Sequence, residues 1–569
     1  MRRRSRVRSL SVGLAVIAVG LLATGCDWLQ LGGLANHDSH NPETTVNTSN
    51  VSALTEAFTT SPNTFPIYSQ PVVANGVMYA ISENGDLTAY SAKGSSGCSG
   101  SPTVCAPLWS ASLVLGTGPN TDISSPAVDN GVVYALAFNG ADPGELEAFD
   151  AAGTKNCSGT PTVCTPLWQA TVNAGEYASP TVVNGTVYVV DGSIGGKLEA
   201  FDANGVTDCS GTPKICSPEW TSTTMGTLGF NAYTVTVANN VAYAASITGT
   251  IYAYDAAGST GCSGTPAVCS PLWQYSPTVG DLTGYPVVEA GTLYVDSFQF
   301  TGTAMNPGYA GSLEAFDANG VTNCSGTPKL CSPLWQTAGN TDASQVPPAV
   351  ADGTVFVDTF GGPVAGFDAN GSIDCFGAPK TCTPMWQSST TSGSWTALTV
   401  GGNVLYAAGG NQIYAFDATG SADCASSVCS PLSSPSSPPS VLSTTFANGM
   451  LYGSGCLTGT GPGTCFLFAD ALAPPSTNVL IPSSGSAVSG TKVLLDAAAS
   501  PGVTQVQYEL TGGTLNDAVI ATATRTLYGW MAVWDSTTVL DGVYTLQSVA
   551  SYSGVVSGTS PGVTITVSH

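Results

Sequence analysis

Histidine is almost missing from this chain. There are three in 569 residues, His37, His40 and His569, all toward the termini, so a general base in the body of the chain would have to be a carboxylate. Basic residues are scarce as well: 13 Lys and Arg against 37 Asp and Glu, with charged residues only 9% of the whole. Five of the 13, Arg2, Arg3, Arg4, Arg6 and Arg8, precede an apolar run from about Leu10 to Ala23. That is the pattern of an export signal rather than of a folded element. Without them the formal charge is 8 − 37 = −29. A field of that sign excludes nucleic acid and disfavours anionic surfaces as partners. No other run is long and apolar enough to cross a bilayer as a helix. The apolar fraction of 43% is nevertheless too high for a disordered acidic chain.

Cysteine is abundant, with 17 residues. The first, Cys26, follows LLATG, and small residues before a cysteine at this point resemble a bacterial lipobox. The resemblance implies a signal peptide over 1–25, lipidation of Cys26, and an exported protein anchored to the outer face of the cell membrane or the cell surface. Two acyl chains suffice for stable anchoring. The Asn-, Ser-, Thr- and Gly-rich stretch 26–50 reads as a flexible tether. The other sixteen cysteines fall in local pairs: Cys98/Cys105, Cys157/Cys164, Cys209/Cys216, Cys262/Cys269, Cys324/Cys331, Cys375/Cys382, Cys424/Cys429 and Cys456/Cys465. Zinc sites need closer spacing or a second pair or histidine nearby. Eight disulfides are the expectation, each closing a small loop worth roughly 2–3 kcal/mol and stabilising it locally.

The pairs belong to a repeat. In SPTVVNGTVYVVDGSIGGKLEAFDANGVTDCSGTPKICSPEW, Asn184-Gly185 is a two-residue hairpin signal and Thr186 to Val190 a β-branched strand. Leu198 to Phe201 forms a third strand, and Trp220 opens a fourth. The tryptophans Trp109, Trp168, Trp220, Trp273, Trp335 and Trp386 recur every 50–60 residues or so. A period of that size means stacked or radial units, and four antiparallel strands per unit make a propeller blade. Copies start near Pro71, Pro126, Pro180, Val235, Pro286, Pro348, Leu398 and Thr444, which predicts eight blades, with seven as the fallback. The last copy lacks a Trp strand. Ala53 to Thr60, with Phe58 at the Trp position, is expected to complete it and close the ring. The seventh copy has Ser433 where the Trp would stand, and its interface is expected to be looser.

The Tyr strand, LEAFDANG and the Trp that opens the next strand look like the pyrroloquinoline-quinone-type propeller repeat, over about 51–472. In that family the Trp rings dock adjacent blades by stacking on the Ala and Gly region of the preceding repeat. The cysteine loops are an insertion relative to that repeat. They are expected on one rim of the ring, as stapled turns protecting an exposed protein or as a binding surface. The family's dehydrogenases hold the quinone beside a disulfide of adjacent cysteines. This chain has no Cys-Cys pair and no Cys-x-x-Cys-His for a haem, so no cofactor is expected. Asp202 to Asp208 lacks the full set of an EF-hand loop, and no metal is expected there. Residues just before the innermost strands would line the channel mouth: Tyr68, Asp122, Glu176, Tyr177, Tyr233, Tyr285, Asp342 and Trp395. They are either a ligand grip for a sugar or small cation, or wet lining.

After Cys465 cysteine vanishes and the repeat stops. A linker at 473–477 precedes a stretch of short alternating strands, 478–569, expected to form a small β-sandwich. Trp534-Asp535, Asp541-Gly542 and Tyr544 make it similar to bacterial immunoglobulin-like domains. The whole therefore reads as an all-β chain. It is also similar to envelope-assembly lipoproteins built from the same repeats. That implies a monomeric binding or assembly scaffold with an envelope protein or glycan as partner and the membrane met only through the lipid. The alternative is a quinone-dependent dehydrogenase or a carboxylate-based carbohydrate-active enzyme.

Overall fold

The strand-to-strand turns set the architecture. Asn75-Gly76, Asn130-Gly131 and Asn184-Gly185 all have positive φ at both positions, as do Asn239-Asn240, Ala290-Gly291, Asp352-Gly353 and Asn448-Gly449 in later copies. Such turns match the twist of antiparallel strands, and Asn and Gly tolerate the left-handed region. Each therefore folds its copy's first two strands into a hairpin. The computed structural model describes residues 27–569 except 64, 114–123, 138–143, 173–177, 192–195, 226–233, 247–249, 276–280, 283–284, 301–308, 339–346, 359–361, 392–394, 410–411, 436–439, 458–463 and 553–555. Residues 1–26, on which the expected signal peptide and the expected lipidation of Cys26 fall, lie outside the described residues.

Eight sheets form the blades of a β-propeller. In the third, Thr181–Val183, Thr186–Val190, Leu198–Asp202 and Trp220–Ser222 run in order from the inside outward. The eighth consists of Ser440–Ala447, Met450–Cys456 and Cys465–Leu472 from the end of the repeat array, and Leu54–Thr60 from its beginning. The ring is thus closed by an N-terminal strand paired antiparallel with Cys465–Leu472.

All eight cysteine pairs are disulfides. Seven lie between a copy's third and fourth strands, and their role reaches beyond the local loop expected for them. The Cys157–Cys164 hairpin of the second copy pairs in parallel with Trp109–Ser112 of the first blade, adding a fifth and a sixth strand to its outer edge. The same step repeats around the ring, so each hairpin clasps the blade before its own and covers an edge that would otherwise be open.

The clasp also sets how deeply the cysteines lie. The second cysteine of each pair is buried. Cys105, Cys269, Cys382 and Cys429 are at most 1% exposed, and Cys164, Cys216, Cys331 and Cys465 at most 6%. Each of the first four shares an apolar cluster with the aromatic of the blade that its hairpin clasps. Cys105 lies with Phe58, Cys269 with Trp220, Cys382 with Trp335 and Cys429 with Trp386. Pairing with the neighbouring blade's outer strand draws the hairpin's second strand against the core, and its cysteine goes inward. These sulfurs are core packing between blades, and a partner at the rim would meet only the hairpin tips.

The tryptophans work between blades, as expected, but in the opposite direction. Each packs on the following repeat rather than the preceding one. Trp273 of blade 4 donates its indole N–H to the Ala318 carbonyl of blade 5 at 3.3 Å, and Tyr243 donates to the same oxygen at 2.8 Å. Gly320, at φ +62°, lies so close that a Cβ there would come within 2.1 Å of the ring. Phe58 takes the Trp place at the closure, against Gly94.

The turn carboxylates are held by backbone. Asp202 accepts from the Val206 and Thr207 N–H groups at 2.9 and 2.7 Å. Burial would raise this carboxyl, but those donors outweigh it and hold it below the usual range. Asp255, Asp317 and Asp368 repeat the arrangement.

Beyond Leu472 the chain forms a β-sandwich. One sheet contains Thr477–Ile481, Val493–Ala499, Gly529–Trp534 and Thr524–Thr526. The other is built on Gly542–Tyr552, flanked by Gln505–Gly512 and Val563–Val567. Trp534 is buried between them, and Tyr544 folds back to donate to Leu540 O at 2.8 Å, a corner common in Greek-key sandwiches.

Candidate functional site

The inner strand of each blade presents unpaired backbone N–H groups to the channel, and these need acceptors. Residues 28–43 supply them. Trp28 pairs with Val73 of blade 1 through two bonds of 2.8 Å. Leu29 O accepts from Val128 of blade 2 at 2.7 Å, and the Gln30 side chain from Val182 N of blade 3 at 2.9 Å. Ala35 O, Asn36 O and Asp38 O accept from Val237, Val288 and Val350 of blades 4, 5 and 6. Ser39 O and Asn41 O accept from Val400 and Gly402 of blade 7, where His40–Asn41 lies parallel to the inner strand. Asn41 Nδ2 then donates to Phe446 O of blade 8 at 3.0 Å, and Glu43 accepts from Gly449 N at 2.7 Å. One short segment visits all eight blades in chain order.

This corrects two expectations. The stretch 26–50, read as a flexible tether, is folded from residue 27 onward, and residues 28–43 line the channel, with Trp28, His37, Ser39 and Asn41 buried. His37 and His40 lie within the propeller rather than outside it. His37 Nε2 is 3.0 Å from Val235 O and 3.2 Å from Thr181 Oγ1. Burial drives its pKa down to about 4, against the acceptors at Leu31 and Val235, so the ring is neutral at physiological pH. Burial raises Asp38 to about 6, partly offset by a hydrogen bond from Asn36.

The segment lies near the end of the channel where the Asn-Gly turns sit. Further along the channel a belt of hydroxyls joins the starts of successive inner strands, and the segment reaches it where Trp28 Nε1 and Gly32 N donate to Gln70 Oε1 at 3.1 and 2.7 Å. Gln70 N donates to Ser125 Oγ, Ser125 N to Ser179 Oγ, and Ser179 N to Thr234 Oγ1, at 2.8, 2.8 and 3.1 Å.

Of the predicted mouth residues, Tyr68 precedes this belt and is 44% exposed, its hydroxyl raised by partial burial and by Glu83. Tyr285 is not a free ligand grip. Its ring sits 5.0 Å from that of His37, and burial raises its hydroxyl. Trp395 begins the inner strand Trp395–Gly401, and its side chain is not among those described. Asp122, Glu176, Tyr177, Tyr233 and Asp342 lie outside the described residues.

The sequence reading missed a set of buried and half-buried carboxylates in the mouth half of the blades. Glu199 is pushed up to about 7 by burial and by Asp191. Burial also raises Glu314, which accepts from the Tyr275 hydroxyl at 2.9 Å. Asp296 is raised well above its ordinary value by burial, with Asp358 adding to it. The sequence signal for Glu199 and Glu314 was an acid at a third-strand position filled elsewhere by Thr88, Tyr252, Ala365 and Tyr414, and for Asp296 an acid where other copies have Ile81, Leu136 or Val190. No group of three or more His, Cys, Asp or Glu residues suited to a metal ion occurs among the described residues.

These features define an eight-bladed β-propeller with an internally laced channel and a C-terminal sandwich. No protein-family model and no curated protein matches the chain. Solved structures share its general form. The quinohemoprotein alcohol dehydrogenase from Comamonas testosteroni aligns at 14% identity and TM-score 0.49, over 78% of this chain and 80% of that one. BamB from Moraxella catarrhalis aligns at 16% identity and TM-score 0.38, over 59% and 79%. The computationally designed Ika8 protein aligns at 11% and 0.47, over 73% and 99%.

Proposed function

We propose that this protein is an exported, lipid-anchored scaffold that binds an envelope protein or glycan through its propeller, with an immunoglobulin-like module at its C-terminus. The observation that carries this reading is the lacing of the channel by residues 28–43. A propeller that fills part of its own channel with its own chain leaves the unlaced mouth and the outer surfaces for partners. The export pattern before Cys26 and the disulfides agree with an oxidising compartment. The raised carboxylates Glu199 and Asp296 favour, as a second reading, a carboxylate-based carbohydrate-active enzyme at the mouth.

Native mass spectrometry of the full secreted chain with pyrroloquinoline quinone and calcium, and with envelope glycan fragments, separates these readings. Stoichiometric glycan binding without turnover supports the scaffold. A one-to-one quinone adduct with dye-linked alcohol oxidation overturns it, and so does cleavage of the glycan.

A further inference from the structure

The residue next to Cys26 has no slack. Asp27 Oδ2 accepts from Asn75 N at 2.9 Å, and Asp27 Oδ1 accepts from Asn448 Nδ2 at 3.0 Å, across the junction of blades 1 and 8. Trp28 is fully buried, and its indole donates to Gln70 Oε1 at 3.1 Å. Asp27 is therefore held at this rim, and Cys26 is joined to it by a single peptide bond.

That rim carries the Asn-Gly turns. The turn that ends each third strand is tied to it: Ala92 N donates to Gly76 O, Ala151 N to Gly131 O and Ala203 N to Gly185 O. The disulfide hairpins leave from these turns, so they skirt the same side. Most of the propeller's exposed large apolar side chains are here, Val206, Val321, Leu330, Ile373 and Phe376 among them. So are Lys93, Lys155, Lys214, Lys329 and Lys380, whereas Lys197 stands at the opposite end of its strand. Among these groups stand the turn aspartates, held in their charged form.

We infer that in the acylated protein the disulfide-hairpin rim is seated against the headgroup layer of the bilayer, and the unlaced channel mouth points away from it. This rests on the lipid-anchor part of the proposed function. The anchor supplies the attraction, the exposed aliphatic side chains tolerate the contact, and the aspartates select a zwitterionic surface over an anionic one.

The test is lysine footprinting of the full lipoprotein in phosphatidylcholine vesicles with a bulky, water-soluble amine reagent, against the unlipidated Cys26→Ala chain. Lys93, Lys155, Lys214 and Lys380 are expected to react several-fold more slowly in the vesicle sample, with Lys197 unchanged. Inserting about ten Gly and Ser residues after Cys26, a span of roughly 17 Å, should restore their reactivity. Phosphatidylglycerol vesicles should protect them less. The mass of the N-terminal peptide separates the two failures. An unmodified Cys26 refutes the anchor itself. An acylated Cys26 with rim lysines as reactive as in the Cys26→Ala chain refutes the orientation and leaves the anchor standing.

Discussion

The fourth and the seventh blades derive from one repeat, yet they hold their neighbours differently. Blade 4 offers Tyr243 and Trp273 to one carbonyl of blade 5, seats the indole on Gly320, and is clasped by the Cys324–Cys331 hairpin. Blade 7 has Tyr406, whose buried hydroxyl makes no hydrogen bond among the described residues, and its fourth strand is reduced to one bridge between Ser433 and Ala415. Tyr406 stacks instead on Phe446, with centroids 5.6 Å apart and planes at 15°. Blade 8 answers with Asp470, paired to Leu451, at the place where blade 7 has Phe416 paired to Leu405. It cannot form the Ala-x-Gly turn, because its third strand ends at Leu472 and leads into the sandwich. The aromatic ring of the outer strand, Trp or at the closure Phe58, the turn that receives it and the hairpin after that turn are therefore one unit, present or absent together. In their place an apolar cluster runs from Tyr406 and Phe446 through Val51 and Leu472 to Leu495 and Tyr508 of the sandwich. The C-terminal domain and the N-terminal segment close the seam that the repeat leaves open.

The largest effect should come from making a regular seam resemble the seventh. Trp273→Ala removes ring, hydrogen bond and contact at once, and should cost roughly 3–5 kcal/mol by urea denaturation. Gly320→Val keeps the indole but forces a β-branched side chain into the left-handed region and against Trp273. A loss of roughly 2–4 kcal/mol is expected in the same measurement. Removing one clasp with Cys209→Ser and Cys216→Ser should cost about 2–3 kcal/mol, and faster proteolysis should begin at that hairpin.

The smallest change should run the other way. Asp470 has no hydrogen-bond partner among the described residues, and burial, with Glu56 adding, pushes it up to about 7. Its unfolded value is about 3.9. The folded state therefore disfavours its charge, and the cost grows as pH rises from about 4 to 7. Asp470→Asn should gain about 1–3 kcal/mol at pH 8 and nothing at pH 3. Asp202→Asn should show the reverse sign. Its carboxyl is lowered, so its stabilisation is complete above the unfolded value and fades as pH falls through the folded one. Thermal melts across pH would show the two variants diverging.

The ring was legible because its determinants are local: Asn-Gly turns, a Tyr, a Phe-Asp-Ala turn and a Trp at fixed offsets. Even the closing strand could be read, since Leu54–Thr60 carries Phe58 at the Trp position. The cysteine pairing was local too, but the burial of Cys105, Cys269, Cys382 and Cys429 was not, because the strand that draws each of them inward belongs to another copy. The lacing segment was not legible. Its contacts are largely backbone carbonyls meeting backbone N–H groups, which impose no periodicity and accept small polar residues that also suit a loose linker. The same gap misplaced Tyr285, chosen for its position before an inner strand, with nothing in the sequence to show that His37 would lie against it.

Lacing also has a consequence in time. Residues 28–43 precede every blade in the chain, but their acceptors bind donors on eight blades, the last of which ends near residue 472. They can be set in place only once every inner strand exists, so the native channel is a late event joining the two ends of a long chain. Contacts of such sequence separation slow folding. The lacing segment must wait for the last blade before it can settle in the channel.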